Sequence, residues 1–593
     1  MRSSRKLHLI LIAAALVTTR AAAAQHPDSV FIRINQLGYL PEAPKIAIAC
    51  ALNDIRVESF ALIDMRGRRV YGPKRATTSE PFGPCRQTAR LDFSDYKREG
   101  DVLIVTRGIA SPVVHISKTT YRGAADTLLA YMREQRSGWN PLFRDSVHRN
   151  DGIVVDHARA GEMIKASGGW ADAADYLQYV STSAYATFIM LMAQRDHPRA
   201  VSDRFLANGL PGSNSQSDML DEARHGLEWL LRMFPSRDLM FNQLADDRDH
   251  SFWDLPVNDT SDYGWGKGGP RPLYPCTGQP QGLFKYKNRA TGKASTAGKY
   301  AAAFALGARM FAQRDPEFAQ KLTLKAKEAY DVGLESPGVC QTAPGRSPYF
   351  YEEDNWADDM ELAAAELYAL TDARGYLNDA MRFADMEPVT PWMGRDTANH
   401  YQWFPWHNNG HYETWRNANP TQRAKLAAMY RDGLQRVVAR SSNGFRVGVP
   451  FIWCSNNLMA SFATQAHLYR KMTGDSRFIE YEFAALDWLF GANPWGVSMI
   501  IDFPAGARTI RNPHSVIADK MGVWTQRGGM VDGPVYRSIF GNLAGIRLLQ
   551  PDEYAALNGG FIVYHDDLGD YSTNEPIMDG TANLTYLLSA LAR

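Results

Sequence analysis

The chain has 593 residues, 45% of them apolar and 22% charged, which is the composition of a folded soluble protein with more than one core. Its 65 basic and 64 acidic residues nearly cancel, which argues against a polyanion such as nucleic acid and suits a neutral polymer as partner. Five cysteines are too few for a fold built on disulfides.

The chain opens on Arg2, Arg5 and Lys6, then a short apolar run from Leu7 to Val17, then Ala22-Ala23-Ala24. This is the pattern of a cleavable export signal over 1–24, with a mature start near Gln25. The apolar run is too short to span a bilayer, and no cysteine follows it to carry a lipid. The mature protein is therefore expected to be secreted or periplasmic, with no membrane anchor.

Residues 25–118 carry short apolar runs separated by turns. Val30–Ile34 and Lys45–Ala49 flank a Gly-Tyr-Leu-Pro turn, and Phe60–Ile63, Val70–Tyr71, Asp101–Val105 and Pro112–Ile116 follow. Regular short strands of this kind predict a β-sandwich. Cys50 and Cys85 both lie in it, and the sequence leaves open whether they pair. Cys276, Cys340 and Cys454 show no metal-ligand spacing.

From about 119 the period becomes helical. Ala364, Leu367, Tyr368 and Thr371 mark one face within 357–371, and Leu220, Ala223, Leu227 and Leu230 another within 216–234, where Ser215-x-x-Asp218 gives a start signal. Similar patterns cover 122–134, 176–195, 295–313, 316–334, 421–440, 456–473, 477–490 and 578–592. Residues 119–593 are thus predicted to form one mainly α domain. Two stretches, 246–292 and 387–415, look irregular and are rich in aromatic residues. Loops of that length are usually functional. Their rings suit sugar faces as a group, while any single ring is better explained by packing.

Two acidic constellations carry the chemistry. The first is Gly168-Gly169-Trp170-Ala171-Asp172-Ala173-Ala174-Asp175-Tyr176. If a helix starts there, Asp172 and Asp175 share a face and can hold and deprotonate one water, kept ionised by the helix N-terminus and walled by Trp170. Alone, the pair reads as two solvated acids in a first helical turn. The second runs Tyr564-His565-Asp566-Asp567-Leu568-Gly569-Asp570-Tyr571-Ser572-Thr573-Asn574-Glu575-Pro576. Pro576 suits the first position of the last helix, which puts Glu575 at its mouth, either as a cap or as an acid that retains its proton.

These motifs, in this order, resemble glycoside hydrolase family 9, the cellulase E type, over nearly the whole mature chain. Ile34-Asn35-Gln36-Leu37-Gly38-Tyr39-Leu40-Pro41 and Leu91-Asp92-Phe93-Ser94 resemble the immunoglobulin-like module found ahead of the catalytic domain in one branch of that family. Asp358-Asp359 with Ala363-Ala364-Ala365-Glu366-Leu367-Tyr368, Trp453-Cys454-Ser455-Asn456 and Gly491-Ala492-Asn493-Pro494 are similar to internal family segments. The resemblance implies an (α/α)6 toroid with its cleft at one end of the helices. It implies Asp175 as base, Asp172 as the acid that helps hold the water, and Glu575 as proton donor, acting with inversion. Base and acid are then expected roughly 6.5–9.5 Å apart.

The sequence also departs from the family pattern. Ala171 stands where the family has an aromatic, and Ala174 where it has glycine. His514 is kept from a His-x-Arg run but Val516 stands at the arginine position, and Thr581 stands at an asparagine position. The acids are retained while the sugar contacts have changed, which points to chain ends or to short or decorated β-glucans. His514 and Tyr571 are the expected sugar contacts.

Other signals carry less. Gly264–Gly269 matches a dinucleotide glycine pattern but lacks the strand and helix around it and reads as a loop. His400, His407 and His411 lack metal spacing, and Asn408-Asn409-Gly410 argues for a loop there, with sugar hydroxyls as partners. Asp246, Asp247 and Asp249 could take calcium but read as a solvated acidic loop, so no cofactor is required and a structural calcium is left unassigned. The expectation is a monomeric inverting hydrolase of β-1,4-glucan or cello-oligosaccharides. The alternatives are an exo-acting β-glucosidase or glucosaminidase of the same fold, or a non-catalytic glycan-binding protein.

Overall fold

The structure is a computed structural model that describes residues 30–396 and 408–592. The expected export signal, His400, His407 and the aromatics from Tyr401 to Trp406 lie outside the described residues.

The first domain is the expected immunoglobulin-like sandwich. One sheet runs Val30–Arg33, Ile46–Ala51, Gln87–Asp92, Thr77–Ser79. The other runs Arg69–Arg75, Ser59–Asp64, Gly100–Thr106, Ile109–Ala110, with Val114–Ile116 also paired to the third of these. In Gly100–Thr106 the residues Val102, Ile104 and Thr106 point inward, as a period of two requires. Ile46–Ala51 is different: nearly every residue is buried. Ala47 and Ala49 face the sandwich core, whereas Ile48 and Cys50 belong to the core of the second domain. A strand covered on both faces has no polar side to alternate, which is why Ile-Ala-Ile-Ala-Cys-Ala reads as a continuous apolar run.

The sandwich is anchored at this second face. Phe82 packs against Phe445, Phe451 and Trp488 with ring centroids 5.5, 5.9 and 6.1 Å apart. Arg90 donates to the Gly444 carbonyl at 2.6 Å and pairs with Glu480 at 2.7 Å. The Asn35 amide donates to Asp487 at 2.8 Å. Two disulfides are present, Cys50–Cys85 in the sandwich and Cys276–Cys340 in the helical domain, and the sequence had left the second unread.

Among the described residues, twelve helices of nine or more residues build the second domain. They are α1 (Ala124–Glu134), α2 (Val180–Asp196), α3 (Asp218–Met233), α4 (Ala294–Phe311), α5 (Pro316–Glu335), α6 (Ala357–Thr371), α7 (Arg374–Met386), α8 (Asn409–Asn417), α9 (Pro420–Ala439), α10 (Ser455–Thr473), α11 (Ile479–Leu489) and α12 (Met578–Leu591). The even-numbered helices touch in the order α2, α4, α6, α8, α10, α12 and back to α2, closing an inner ring. The odd-numbered helices form the outer layer of an (α/α)6 toroid. Inner helices such as α2 and α12 are buried on all sides, while α3 and α7 keep a polar outer face.

Four local expectations change. The cap of α3 is Ser217, which accepts the Met219 N–H, while Ser215 sits in a left-handed turn at φ 65°. Pro576 is not in α12: Pro576–Ile577 pairs as a strand with Met530–Val531, and the helix starts at Met578. The stretch 246–292 contains a strand, Pro272–Pro275. The stretch 387–415 contains most of α8, and Gly410, read as a loop residue, lies within that helix, where glycine is required because a Cβ would meet the Glu361 carboxylate at 2.8 Å. His411 is consequently buried in a helix and bonded to Glu361 at 2.7 Å, not available to a sugar.

Candidate active site

The loops that precede the N-termini of the inner helices meet at one end of the ring. The loop before α2 carries Asp172 and Asp175, that before α6 carries Tyr351, that before α10 carries Trp453, and that before α12 carries Glu575.

Asp172 and Asp175 do not start a helix. The segment Gly168–Leu177 is an irregular loop, and α2 begins at Val180. Long-range contacts hold the loop in this shape. Gly169 has φ 72°, and a Cβ on it would lie 2.6 Å from the Trp229 ring, so the chain passes where only glycine fits. Buried Arg271 pairs with Asp151 at 2.7 Å and donates to the Tyr176 carbonyl at 2.5 Å and to Gln178 at 2.6 Å. Gln178–Tyr179 is itself a strand, on the edge of a small sheet with Phe241–Leu244, Pro272–Pro275 and Ile153–Val154. Trp170 points away from the acids: its ring is buried near His225, and its indole N–H donates to Glu222 at 2.7 Å.

The two aspartates therefore have different surroundings. Asp172 is 4% exposed and accepts hydrogen bonds from Thr182 at 2.5 Å and from the Tyr351 hydroxyl. Burial pushes its carboxyl up to about 7, against the pull of those two donors, and the Asp175 charge adds to the rise. Asp175 is partly exposed and pairs with His250 Nε2 at 2.9 Å. Burial opposes a charged His250 ring, but the hydrogen bond and charge of Asp175 outweigh it and raise the imidazole to about 9. His250 is therefore a cation at neutral pH.

Glu575 reaches the same place from the other end of the chain. Its Oε1 accepts the Ala174 N–H at 3.0 Å, one residue from Asp175. Its own carbonyl accepts the Asp532 N–H at 2.9 Å, and the Met578 N–H donates to the Asp172 carbonyl at 2.9 Å. Enclosure raises the Glu575 carboxyl well above the usual range, and the charges of Asp175 and Asp532 raise it further. Both causes favour its protonated form, and with Oε1 occupied as an acceptor the proton of that form belongs on Oε2.

Aromatic rings line the space beside these acids. Trp253, 42% exposed, lies 5.0 Å from His514, which lies 6.1 Å from Tyr571, which stacks on Trp453 at 5.4 Å. His514 Nδ1 donates to the Leu568 carbonyl at 2.5 Å, so in the neutral ring that burial favours, Nε2 is an acceptor. The Tyr571 hydroxyl is used on the Ala544 carbonyl at 2.5 Å, leaving the ring face as its surface for a ligand.

Three of the residues that depart from the family pattern, Ala171, Val516 and Thr581, have structural roles. Ala171 and Val516 lie in one apolar cluster with Tyr176 and Ile517. Thr581 accepts the Met530 N–H at 2.9 Å and donates to the Ile577 carbonyl at 2.6 Å, fixing the strand that carries Glu575 into α12. The acidic residues read as a solvated loop are spent inside the protein. Asp246 pairs with Arg248 at 2.6 Å and accepts the Tyr274 hydroxyl at 2.5 Å, Asp249 accepts the Tyr176 N–H at 2.7 Å, and Asp247 accepts backbone N–H groups of Arg346 and Ser347. Asp566 and Asp567 likewise accept backbone N–H groups, from Arg511 and Asn512 and from Leu549 and Gln550. Tyr351 and His250 were not singled out by the sequence, although His250 lies in an aromatic stretch that was.

Comparison with known proteins agrees with this architecture. Residues 121–588 match the model of glycosyl hydrolase family 9, and residues 29–111 that of the cellulase N-terminal ig-like domain. Endoglucanase C of Cellulomonas fimi is 27% identical over 514 residues, covering 79% of this chain but 44% of that protein, so the chain spans less than half of that relative. Endoglucanase D of Acetivibrio thermocellus is 23% identical, covering 87% of this chain and 80% of that one. The xyloglucan-specific endo-beta-1,4-glucanase of Bacteroides ovatus is 23% identical, covering 94% and 93%. The crystal structure of a metagenome-derived glycoside hydrolase family 9 endoglucanase superposes with a TM-score of 0.74 at 25% identity, covering 95% of this chain and 99% of that one. The chain belongs to glycosyl hydrolase family 9 and is a cellulase-like glycoside hydrolase whose catalytic ring follows an immunoglobulin-like module.

Proposed function

We propose that the protein hydrolyses β-1,4-linked glucan or cello-oligosaccharides by single displacement with inversion. Asp175 takes a proton from water as the water oxygen bonds to the anomeric carbon. Glu575 gives its proton to the glycosidic oxygen as that bond breaks. Asp172 helps hold the water, and the His250 cation orients Asp175. His514 offers Nε2 as an acceptor to a sugar hydroxyl, and Tyr571 offers a ring face. The observation that carries this reading is the pairing of opposite environments: an acid raised well above the usual carboxylate range, bonded to the residue next to a carboxylate that is paired with a cation.

Several parts of the proposal reach further. Residues 1–24 act as an export signal, 25–118 as a bracing module and 119–593 as the catalytic domain, and the enzyme works as a monomer outside the cytoplasm. Among the described residues no helix is long and apolar enough to cross a membrane. The match to a xyloglucan-specific relative over nearly the full length of both chains adds decorated β-1,4-glucan to the substrates worth testing.

The test is product analysis by NMR on cello-oligosaccharides and xyloglucan oligosaccharides. Inversion requires the α anomer to appear first from a β bond. Early β anomer would overturn the mechanism, and no new reducing ends from any β-glucan would overturn the activity. The profile of product lengths separates internal from chain-end cleavage.

A further inference from the structure

Two neighbouring side chains of the loop before α10 converge on one carboxylate that the proposed chemistry does not use. The Trp453 indole N–H donates to Asp532 Oδ2 at 3.0 Å, and the Cys454 thiol donates to Oδ1 at 3.0 Å. Successive side chains of an extended chain point to opposite sides. They meet here because Cys454 holds φ 61°, in the left-handed region that a residue with a Cβ rarely adopts. Asp532 and Cys454 are both fully buried.

The same residue is fixed from the side of the proposed proton donor. Asp532 follows directly on the strand Met530–Val531, which pairs with Pro576–Ile577. Its N–H donates to the Glu575 carbonyl at 2.9 Å, and the next residue, Gly533, donates to the Thr573 carbonyl at 3.1 Å. Its own carbonyl accepts the Asn456 N–H of α10 at 2.9 Å. Trp453 in turn has Tyr571 stacked on it at 5.4 Å. One residue thus ties the ring offered to sugar to the segment that carries Glu575.

Other titratable groups face the pair. Asp172 and Asp175 face Glu575 from the loop before α2, and Tyr131 of α1 reaches it through a bond to the Pro576 carbonyl at 2.9 Å. Asp579 of α12 and Asp570, itself paired with His565 at 2.7 Å, face Asp532. Burial raises both carboxyls well above the usual range. Two acids that repel each other lose their protons in two steps, and the second proton is retained by the charge that the first leaves behind. The Asp532 carboxylate receives two donors and that of Glu575 one, so the retained proton is favoured on Glu575. We infer that Asp532 is a positioning residue for the reaction, a single carboxylate that locks the Trp453–Tyr571 sugar platform to the proton donor and keeps that donor loaded. The inference rests on the reading of Glu575 as the acid of a β-glucan hydrolase.

The test is the pH profile of kcat for full-length Asp532→Asn on cellotetraose and on dinitrophenyl cellobioside. Asparagine can keep both contacts, its oxygen on the indole N–H and its N–H on the sulfur, while it drops the charge. Without that charge Glu575 gives up its proton at lower pH, so the basic limb on cellotetraose should move down by about one pH unit. On the dinitrophenyl substrate, whose leaving group needs no proton, the basic limb should stay in place. Adding Asp532→Asn to Glu575→Gln should change kcat by less than about twofold, because the effect passes through Glu575. Asp532→Ala, which also releases Trp453, should raise KM on cellotetraose by about tenfold, and asparagine should restore it. Trp453→Phe keeps a ring under Tyr571 but cannot bond Asp532, so it should raise KM as well, which tests the platform whether or not the Asp532 variants fold. An unmoved basic limb in Asp532→Asn, equal losses on both substrates, or an unchanged KM in Trp453→Phe overturns the inference and leaves the β-glucan reading intact. A parent enzyme that turns over neither substrate overturns that reading and this role with it.

Discussion

The carboxylate of Glu575 accepts the backbone N–H of Ala174 at 3.0 Å, across 401 positions of sequence. This bond assigns the two oxygens of Glu575 different tasks, one as acceptor and one as bearer of the proton. Replacing the acid should therefore matter in proportion to how much help the leaving group needs. Glu575→Gln is expected to lower kcat on cello-oligosaccharides by about a hundredfold to ten-thousandfold, with a much smaller loss on a dinitrophenyl cellobioside, whose leaving group needs no proton. Asp175→Asn should fail on both substrates. Both variants should melt near the parent, and equal losses of Glu575→Gln on both substrates would remove Glu575 as the acid.

His250 sits 2.9 Å from Asp175 as a cation. Removing a charge-assisted hydrogen bond from a reacting carboxylate is expected to cost about tenfold to a hundredfold in kcat, so His250→Gln should show that loss with little change in KM. The effect on stability has a definite sign. The folded imidazole titrates near 9, above its unfolded value of about 6.5, so its contribution is complete below 6.5 and disappears as pH rises through 9. The gap in Tm between parent and variant should close over that interval. A gap that widens with pH would contradict the pairing.

Tyr351 and Thr182 both donate to Asp172 and lower a carboxyl that burial holds near 7. Without the Tyr351 hydroxyl the carboxyl should rise further, so Tyr351→Phe is expected to shift the acidic limb of the kcat profile to higher pH. The loss of activity should be greater at pH 6 than at pH 8. A uniform loss at all pH values would mean that Tyr351 acts on the substrate and not through Asp172.

Asn35 links the sandwich to Asp487 on α11, whose carboxyl burial raises to about 8. That folded value lies above the unfolded one, so ionisation of Asp487 works against the fold, and stability from this group falls as pH rises from about 4 to about 8. The Asn35 amide offsets part of this by stabilising the charged form. Asn35→Ala is expected to cost about 1–3 kcal/mol, with the largest loss in Tm above pH 8. Denaturation curves at pH 5 and pH 9 check the direction.

Ten of the twelve long helices were legible from apolar residues recurring at helical spacing, as Leu220, Ala223, Leu227 and Leu230 do in α3. The stripe Leu377, Ala380, Phe383 and Ala384 would have revealed α7, and α8 was hidden by an Asn-Asn-Gly run whose glycine serves close packing against Glu361 and not a turn. The acids were legible as residues but not as geometry. Spacing of three predicts a shared helical face, whereas Arg271 and a small sheet hold Asp172 and Asp175 in a loop, and none of those partners is local. The same holds for His250 and Tyr351, which meet Asp175 and Asp172 across 75 and 179 positions.

Closure of the inner ring by α12 against α2 also sets an order in time. Asp175, the proposed base, precedes α3 and α4 in the chain and its partner His250 lies between them, while Glu575, the proposed proton donor, arrives with α12. On that proposal, a chain still emerging has the residues that would hold the water and lacks the one that would release the leaving sugar. Onset of hydrolysis during refolding therefore marks the moment at which the most distant segments of the catalytic ring dock, and contacts of such sequence separation are the slow ones to form. The enzyme carries its own reporter of completed folding.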